Sequence, residues 1–167
     1  MLNIVKKLEE LDFPALMEVY IEGNEEKAAD YGAGGLLRAE QEFFEYLQED
    51  FFKHAGAFYA VWRVEGRYIS ALRLEPYQDG WLLEALETAP NQRQKGYAVQ
   101  LIQAAQQMLE QQGSVRIYSH VSKKNFPSLK THFHCKFEIY RDYAAYIDGS
   151  VNDRAYTLRY EKNCFRI

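Results

Sequence analysis

The segment Arg93–Ala98 has the residue types that can hold a phosphate group. It stands between a predicted strand and a predicted helix, and a helix N-terminus presents free backbone N–H groups and a positive dipole to an anion. Gly96 lets the backbone approach a ligand closely, while Arg93 and Lys95 add positive charge. From these residues alone two interpretations stay open: a pyrophosphate-binding turn, or an ordinary helix N-terminus with solvated basic side chains.

Glu84 is the first candidate for a general base. Strand alternation places it on one face with Leu82, Leu86 and Thr88, and places Glu87 on the other face. A carboxyl group among apolar neighbours is expected to have a raised pKa, which makes it a better base near neutral pH. The alternative is an ordinary strand carboxylate that faces solvent.

His120 is the rival base. It shares one face of the next predicted strand with Arg116 and Tyr118, and an imidazole titrates near neutral pH. The alternative is a partly buried histidine whose hydrogen bonds are satisfied within the fold. Residue types do not separate the two interpretations.

Three histidines and one cysteine permit two further chemistries. His132 stands three residues before Cys135 on a predicted helix, where it could activate the thiol as an acyl-accepting nucleophile. With His120 and His134 these residues also suggest zinc, but their spacing is unlike that of the usual zinc ligand pairs. A small buried apolar residue is the more usual role of a free cysteine. We therefore predict direct chemistry and no metal site.

Two helices are predicted in the first third of the chain. Asp12 can cap the first helix, which is predicted to end near Gly23. Residues Gly23–Gly35 contain four glycines and several acids, a composition typical of a mobile loop. Leu36–Phe52 has apolar residues at helical spacing between glutamates, which predicts an amphipathic helix.

The rest of the chain alternates strands with two helices. Apolar residues at helical spacing begin at Ala98, and Gly113 is the expected end signal. A strand, a helix and a strand inside otherwise antiparallel hairpins predict a mixed sheet in an α/β layered fold. The predicted strands and the short second helix are Phe58–Val64, Tyr68–Leu74, Trp81–Leu86, Val115–Val121, the helix Asn125–His134, Phe137–Tyr146 and Ala155–Tyr160.

The sequence resembles the GNAT superfamily of acetyl-CoA-dependent N-acetyltransferases. Arg93–Ala98 matches that family's (Arg/Gln)-x-x-Gly-x-(Gly/Ala) loop, and Asn125–Ser128 with Phe137 matches the spacing of its second motif. Two positions depart from the family pattern. Lys136 stands where a glycine is usual, which concerns backbone geometry, and His132 stands where a tyrosine is common, which concerns catalysis.

The resemblance implies a mostly antiparallel sheet flanked by helices, with a splayed central strand pair that holds acetyl-CoA as co-substrate. It implies direct attack of a primary amine on the thioester, with Glu84 or His120 as base and His132 as the acid for the leaving thiolate. The alternative is that the thiolate leaves unprotonated and that His132 is a surface residue without a catalytic role. The runner-up is a non-catalytic acyl-CoA-binding or regulatory domain of the same fold, and a third interpretation is a structural domain without a CoA site. The residues implied to bind the co-substrate are Thr88, Arg93, Gln94, Lys95, Gly96, Tyr97, Ala98 and Asn125.

Composition sets the remaining expectations. The 167 residues predict one domain, 1–167, and the net charge of −4 argues against general affinity for nucleic acid. Two cysteines and the lack of a long apolar run predict a cytoplasmic protein without a membrane segment. Acids in the predicted loop region would favour a cationic amine such as a polyamine or a basic peptide, and the alternative is that they are ordinary solvated loop charges. These acids are Glu22, Glu25, Glu26 and Asp30. A homodimer is common among the proteins that the chain resembles.

Overall fold

A computed structural model describes residues 1–163, so Cys164, one of the two cysteines, lies outside the described residues. Helices α1 (Phe13–Val19), α2 (Ile21–Ala29) and α3 (Gly35–Glu49) come early in the chain, and α4 (Tyr97–Glu110) and α5 (Phe126–His134) follow later. None of the helices within residues 1–163 is both long and apolar enough to cross a membrane.

The first helix begins as expected, because the Asp12 carboxylate accepts the Ala15 N–H at 3.1 Å. The prediction that it ends near Gly23 is wrong. Helix α1 ends at Val19, and α2 runs on through Gly23 into the segment that was expected to be a mobile loop. Strong helix formers such as Glu25 and Glu26 outweigh the one glycine, which costs about 1 kcal/mol in a helix.

Helices α2 and α3 pack closely at Gly35. A Cβ atom at Gly35 would lie 2.3 Å from the carbonyl oxygen of Ala28, so the close approach requires glycine there. The predicted amphipathic helix is confirmed as α3, which buries Ala39 and Leu47.

The main sheet has seven strands in the order β1-β2-β3-β4-β5-β9-β6, and β7 (Ala144–Ala145) pairs with β8 (Val151–Asn152) separately. All its neighbours are antiparallel except β4 and β5, which confirms the mixed sheet. The strand β1 was not predicted because it is only four residues long. The seven strands are β1 (Leu2–Val5), β2 (Phe58–Val64), β3 (Arg67–Tyr77), β4 (Gly80–Thr88), β5 (Val115–Ser122), β6 (Glu138–Arg141) and β9 (Ala155–Lys162).

Helices cover both faces of the sheet. Alternate residues of the strands point to opposite faces, so Ala60, Leu72 and Leu74 pack under α4 and α5. Tyr59 and Ala71 pack on the other face, against α1 and α3. On that second face the apolar cover over β4 and β5 is a small cluster of Tyr77, Leu82 and Tyr118.

A β-bulge interrupts β4. The register passes from Arg73 opposite Glu84 to Ala71 opposite Glu87, so two residues of β4 oppose one of β3, and Ala85 has a φ of 51°. The Tyr20 hydroxyl donates to the Ala85 carbonyl oxygen at 2.6 Å, which ties the end of α1 to the bulge.

Candidate active site

The strands β4 and β5 separate in the middle of the sheet. Their pairing runs from Trp81 opposite Ile117 to Leu83 opposite Ser119 and then stops, although β4 continues to Thr88 and β5 to Ser122. Beyond that point no strand within residues 1–163 pairs with the edge of β4 that faces β5. The resulting gap leaves backbone groups available to an extended ligand, as a splayed strand pair requires.

The predicted phosphate-binding turn follows β4 and starts α4. Gly96 is the N-cap, with a φ of 80° and no side chain to cap the first N–H groups. Asp12 and Asn125 do cap α1 and α5 with their side chains. The α4 N-terminus therefore keeps uncapped donors, and Gln94 at a φ of 61° helps to turn the backbone towards them.

The basic side chains of this turn are engaged within the chain. The Arg93 guanidinium pairs with Glu22 at 2.6 Å and with Glu87 at 3.0 Å, and its Nε donates to the Thr88 carbonyl oxygen at 3.2 Å. Lys95 donates to the Gln92 side chain at 2.9 Å. An anion at this turn would therefore meet the backbone of Arg93–Ala98 before it could recruit either side chain.

Two other predicted co-substrate residues also have partners. The Thr88 hydroxyl shares a hydrogen bond with the Ser70 hydroxyl at 3.0 Å. Asn125 accepts the Ser128 N–H at 3.2 Å as the N-cap of α5. Thr88 lies at the open end of the gap, whereas the Asn125 side chain is used as a helix cap.

Glu84 lies where β4 and β5 separate, directly after the last paired residue. It is partly buried, and burial raises its pKa to about 7, against the lowering effect of the nearby Arg73 guanidinium. The carboxylate of Glu75 raises the pKa further, through its charge and a hydrogen bond. A carboxyl group with this pKa has the protonation behaviour of a general base at neutral pH.

The prediction that Glu84 shares a strand face with Leu82 is confirmed, because they stand opposite Arg73 and Glu75. The prediction is wrong for Leu86, Thr88 and Glu87, because of the bulge at Ala85. Leu86 packs in the cluster under α4, and Thr88 pairs with Ser70 on that same side. Glu87 is on the same face as Glu84 and not on the opposite one. One inserted residue shifts the alternation, so strict period-two counting fails beyond it.

His120 lies on the same sheet face as Glu84, one residue beyond the last β4–β5 pair. The rings of Tyr77 and Tyr146 pack edge-on against it at 5.7 and 5.1 Å. Burial lowers its pKa, which keeps the imidazole neutral, and its Nε2 atom is buried without a hydrogen-bond partner among residues 1–163. The structure thus brings the two candidate bases to the same face of the sheet, at the point where β4 and β5 separate.

His132 lies on the other face of the sheet and is 1% exposed. Its Nδ1 hydrogen-bonds to the Ser128 carbonyl oxygen at 2.8 Å, so Nδ1 carries the proton and Nε2, 3.0 Å from the Ser119 hydroxyl, accepts from it. Burial lowers the pKa of His132. Both ring nitrogens are therefore used within the fold, and a neutral imidazole has no additional proton to give.

Cys135 follows at the end of the same helix and is 1% exposed. Burial raises the pKa of its thiol to about 11, so the reactive thiolate is scarce at neutral pH. Within the described part of the chain no group of three or more possible metal-ligating side chains is present.

Lys136 keeps the backbone conformation that the usual glycine would have. Its φ is 65°, and the helix ends with Lys136 N–H bonded to Phe133 O and Phe137 N–H bonded to His132 O, both at 3.0 Å. These two bonds form a Schellman motif. The departure at this position leaves the geometry intact.

Sequence reasoning missed several residues around Glu84. Arg73 and Glu75 face it from β3, and His54, which precedes β2, donates to or accepts from Glu75 at 2.7 Å. No sequence signal joins these residues, because they are distant in the chain and only sheet pairing brings them together.

The model of the acetyltransferase (GNAT) family matches residues 16–137 of the chain. Among solved structures, the PaiA N-acetyltransferase from Thermoplasma acidophilum in complex with coenzyme A is 14% identical, with a TM-score of 0.65 over 97% of this chain and 99% of that one. The ribosomal-protein-S18-alanine N-acetyltransferase from Escherichia coli is 16% identical, with a TM-score of 0.63 over 98% and 96%. A comparison with curated proteins found no match.

At these identities the solved structures show a shared fold. The family match covers most of the chain and includes the turn at Gly96 and the splayed strands. The chain belongs to the GNAT family of acetyltransferases, which confirms the resemblance seen in its motifs.

Proposed function

We propose that this acetyltransferase moves an acetyl group from acetyl-CoA to a primary amine by direct attack of the amine on the thioester. The observation that carries the proposal is the gap between β4 and β5. Glu84 and His120 lie where the gap begins, and the uncapped N-terminus of α4 lies beyond its open end. A donor with an anionic end and an acyl end fits between them.

The residues present fit the co-substrate. The backbone of Arg93–Ala98 would hold the pyrophosphate. Gly96 offers room, since within residues 1–163 an added Cβ would meet only the Gln100 side chain, at 3.8 Å. The unpaired edge of β4 would hold the amide groups of the pantetheine arm. When bound, acetyl-CoA supplies an acetyl group activated as a thioester.

Glu84 is the proposed general base. A primary amine is mostly protonated at neutral pH, because its pKa is about 10. Glu84 accepts a proton from the ammonium, and the freed lone pair forms the new C–N bond while the C–S bond of the thioester breaks. His120, neutral and with an unpartnered Nε2, is placed to orient the amine and stays the alternative base.

His132 is less suited to be the acid for the leaving thiolate. It is buried, neutral and hydrogen-bonded at both nitrogens. We infer that it supports Ser119, which stands at the start of the gap, and that the thiolate receives its proton from solvent. The buried, weakly acidic Cys135 supports direct transfer over an acyl-cysteine route.

We also propose that the acceptor is a cationic amine, and two exposed acids of α2 support this. Glu22 is neutralised by Arg93, but Glu25 and Glu26 are exposed on α2, where they can attract a positively charged substrate. Replacing both with glutamine should raise the KM for a polyamine and leave that for acetyl-CoA nearly unchanged. Equal changes in both constants would contradict this role.

We also propose that the protein is cytoplasmic and forms a homodimer. We propose no nucleic-acid partner, because the net charge of −4 does not favour binding to a phosphate backbone. Size measurement of the purified protein by light scattering would test the dimer.

Thermal shift and turnover test the function together. Acetyl-CoA at 100 times its Kd stabilises a protein by about 2.7 kcal/mol, or roughly 5 to 10 °C in Tm at this size, whereas NADH should not. Gly96→Glu should abolish the shift, because it adds a negative charge and a side chain at a φ of 80°.

Gly34→Glu is the matched control, since Gly34 is also a helix N-cap, with a φ of 75° and open space around it. It should keep the shift. Transfer to at least one member of a primary amine panel supports the function. Binding of acetyl-CoA without transfer to any amine would instead indicate the non-catalytic binding domain.

A further inference from the structure

A line of three neighbouring titratable side chains leads from Glu84 to solvent. Glu84 and Glu75 lie on the same face of neighbouring strands, because Glu84 stands opposite Arg73 and Glu75 is two residues further along β3. The charge of Glu75 raises the pKa of Glu84, and Glu75 Oε2 lies 2.7 Å from Nδ1 of His54. Glu75 is 3% exposed, whereas the His54 side chain is 47% exposed. The two ends of the line thus lie at the splayed strands and at the surface, with a buried carboxylate between them.

The direction of this line matters. Glu75 stands opposite Leu82 on β4, towards the start of that strand, whereas the α4 turn follows its end at Thr88. The line therefore leaves the site on the side away from the turn that would hold the co-substrate. A substrate that fills the gap would cover Glu84, while His54 would still contact water.

We propose that Glu84, Glu75 and His54 form a proton-release chain that carries the amine proton from the site to water. This inference rests on the proposed function, and it deepens that function by assigning two positioning residues that do not touch the reacting atoms.

Each transfer conserves the proton. Glu84 takes one proton from the ammonium and donates it to Glu75, and Glu75 passes a proton to Nδ1 of neutral His54. The imidazolium then releases its Nε2 proton to water. One proton enters at Glu84 and one leaves at His54, so Glu84 returns to the carboxylate form. The exposed ring of His54 then exchanges its Nδ1 proton for one at Nε2 through water, which restores the tautomer that accepts a proton in the next cycle.

The neighbouring charges favour this arrangement. The bond to Glu75 raises the pKa of His54, which helps it to accept a proton. Arg73 stays charged beside Glu84, and burial raises the pKa of Tyr59 to about 12, so that this phenol stays protonated. The other titratable groups that face the line are Asp50, 3.5 Å from His54, and Tyr20 and Tyr46, whose pKa values burial raises.

Carbon-13 NMR of the glutamate carboxyl groups tests the coupling without turnover. Glu75→Gln should lower the pKa of Glu84, because a neighbouring negative charge is removed. His54→Ala should raise it, because the protonated form of His54 lowers the pKa of Glu84. His134→Ala is the matched control, since His134 is exposed on α5, and it should change nothing.

Kinetics test the proton transfer itself. His54→Ala and Glu75→Gln should each lower kcat by about tenfold at neutral pH, which is less than the loss expected for a direct acid or base. Added imidazole should restore the rate of His54→Ala and not that of Glu75→Gln. A merely structural role would not respond to imidazole.

The outcomes separate the two proposals. Wild-type protein that acetylates no amine overturns the proposed function. If the wild-type protein is active, two results would overturn the proton-release chain while leaving the proposed function in place. These are a wild-type kcat in both variants, or an unchanged pKa of Glu84 in both variants.

Discussion

Arg73 and Glu84 stand directly opposite each other on β3 and β4, yet Arg73 Nε and Glu84 Oε2 are 4.0 Å apart. Both atoms are buried, and neither has a hydrogen-bond partner among residues 1–163. The Arg73 guanidinium packs over the rings of Tyr46 and Phe51, at 4.8 and 5.4 Å, which holds it in this position. Buried polar atoms without partners cost free energy, so their presence beside the splayed strands is typical of a site that binds a polar ligand.

Glu84→Gln should lower kcat by about 10²- to 10⁴-fold, because a glutamine cannot accept the amine proton. In the wild type the rate should rise with pH through about 7 as Glu84 ionises, and the variant should lose that step. The measurement is the pH profile of kcat/KM with a good amine substrate. His120→Gln is the comparison: collapse there, with a near-normal rate in Glu84→Gln, would transfer the base role to His120.

His132→Ala should act mainly on stability. The change leaves the Ser119 hydroxyl and the Ser128 carbonyl oxygen without their buried partner, which costs about 1 to 3 kcal/mol in the free energy of unfolding. Urea unfolding measures this loss, and kcat of the folded protein should fall less than about tenfold. A 100-fold fall at unchanged stability would restore the general-acid role.

Cys135→Ala should leave kcat within about twofold, because the buried thiol has a pKa of about 11 and takes no part in direct transfer. Initial-rate plots with both substrates varied should intersect. Parallel lines, or a radioactive acetyl group that stays on the wild-type protein in the absence of amine, would show an acyl-enzyme instead.

Lys136→Gly should stabilise the protein by about 1 kcal/mol, since a residue with a side chain at a φ of 65° is strained by about 1 to 2 kcal/mol and glycine is not. Thermal unfolding measures the gain. Lys136→Ala is the matched control, which removes the charge and keeps the strain, and it should give no comparable gain. If both substitutions stabilise the protein equally, the gain comes from removal of the lysine charge and not from relief of backbone strain.

Local sequence signals determined the elements and the family. Asp12 and Asn125 cap α1 and α5 as predicted, because an N-cap depends on residues only three positions apart. The turn at Gly96 and the spacing of Asn125 and Phe137 were enough to indicate a GNAT acetyltransferase. Helix α2 was missed because its helix formers and its packing on α3 outweigh Gly23.

Only the tertiary structure decided how the side chains of the site are arranged. The bulge at Ala85 reversed the expected face of Glu87, since a single inserted residue changes the alternation of a strand. Glu75 and His54 joined Glu84 through strand pairing and the turn before β2, and Ser119 engaged His132 across a sheet and a helix. Contacts between residues far apart in the chain depend on register and packing, which local patterns of residue type do not encode.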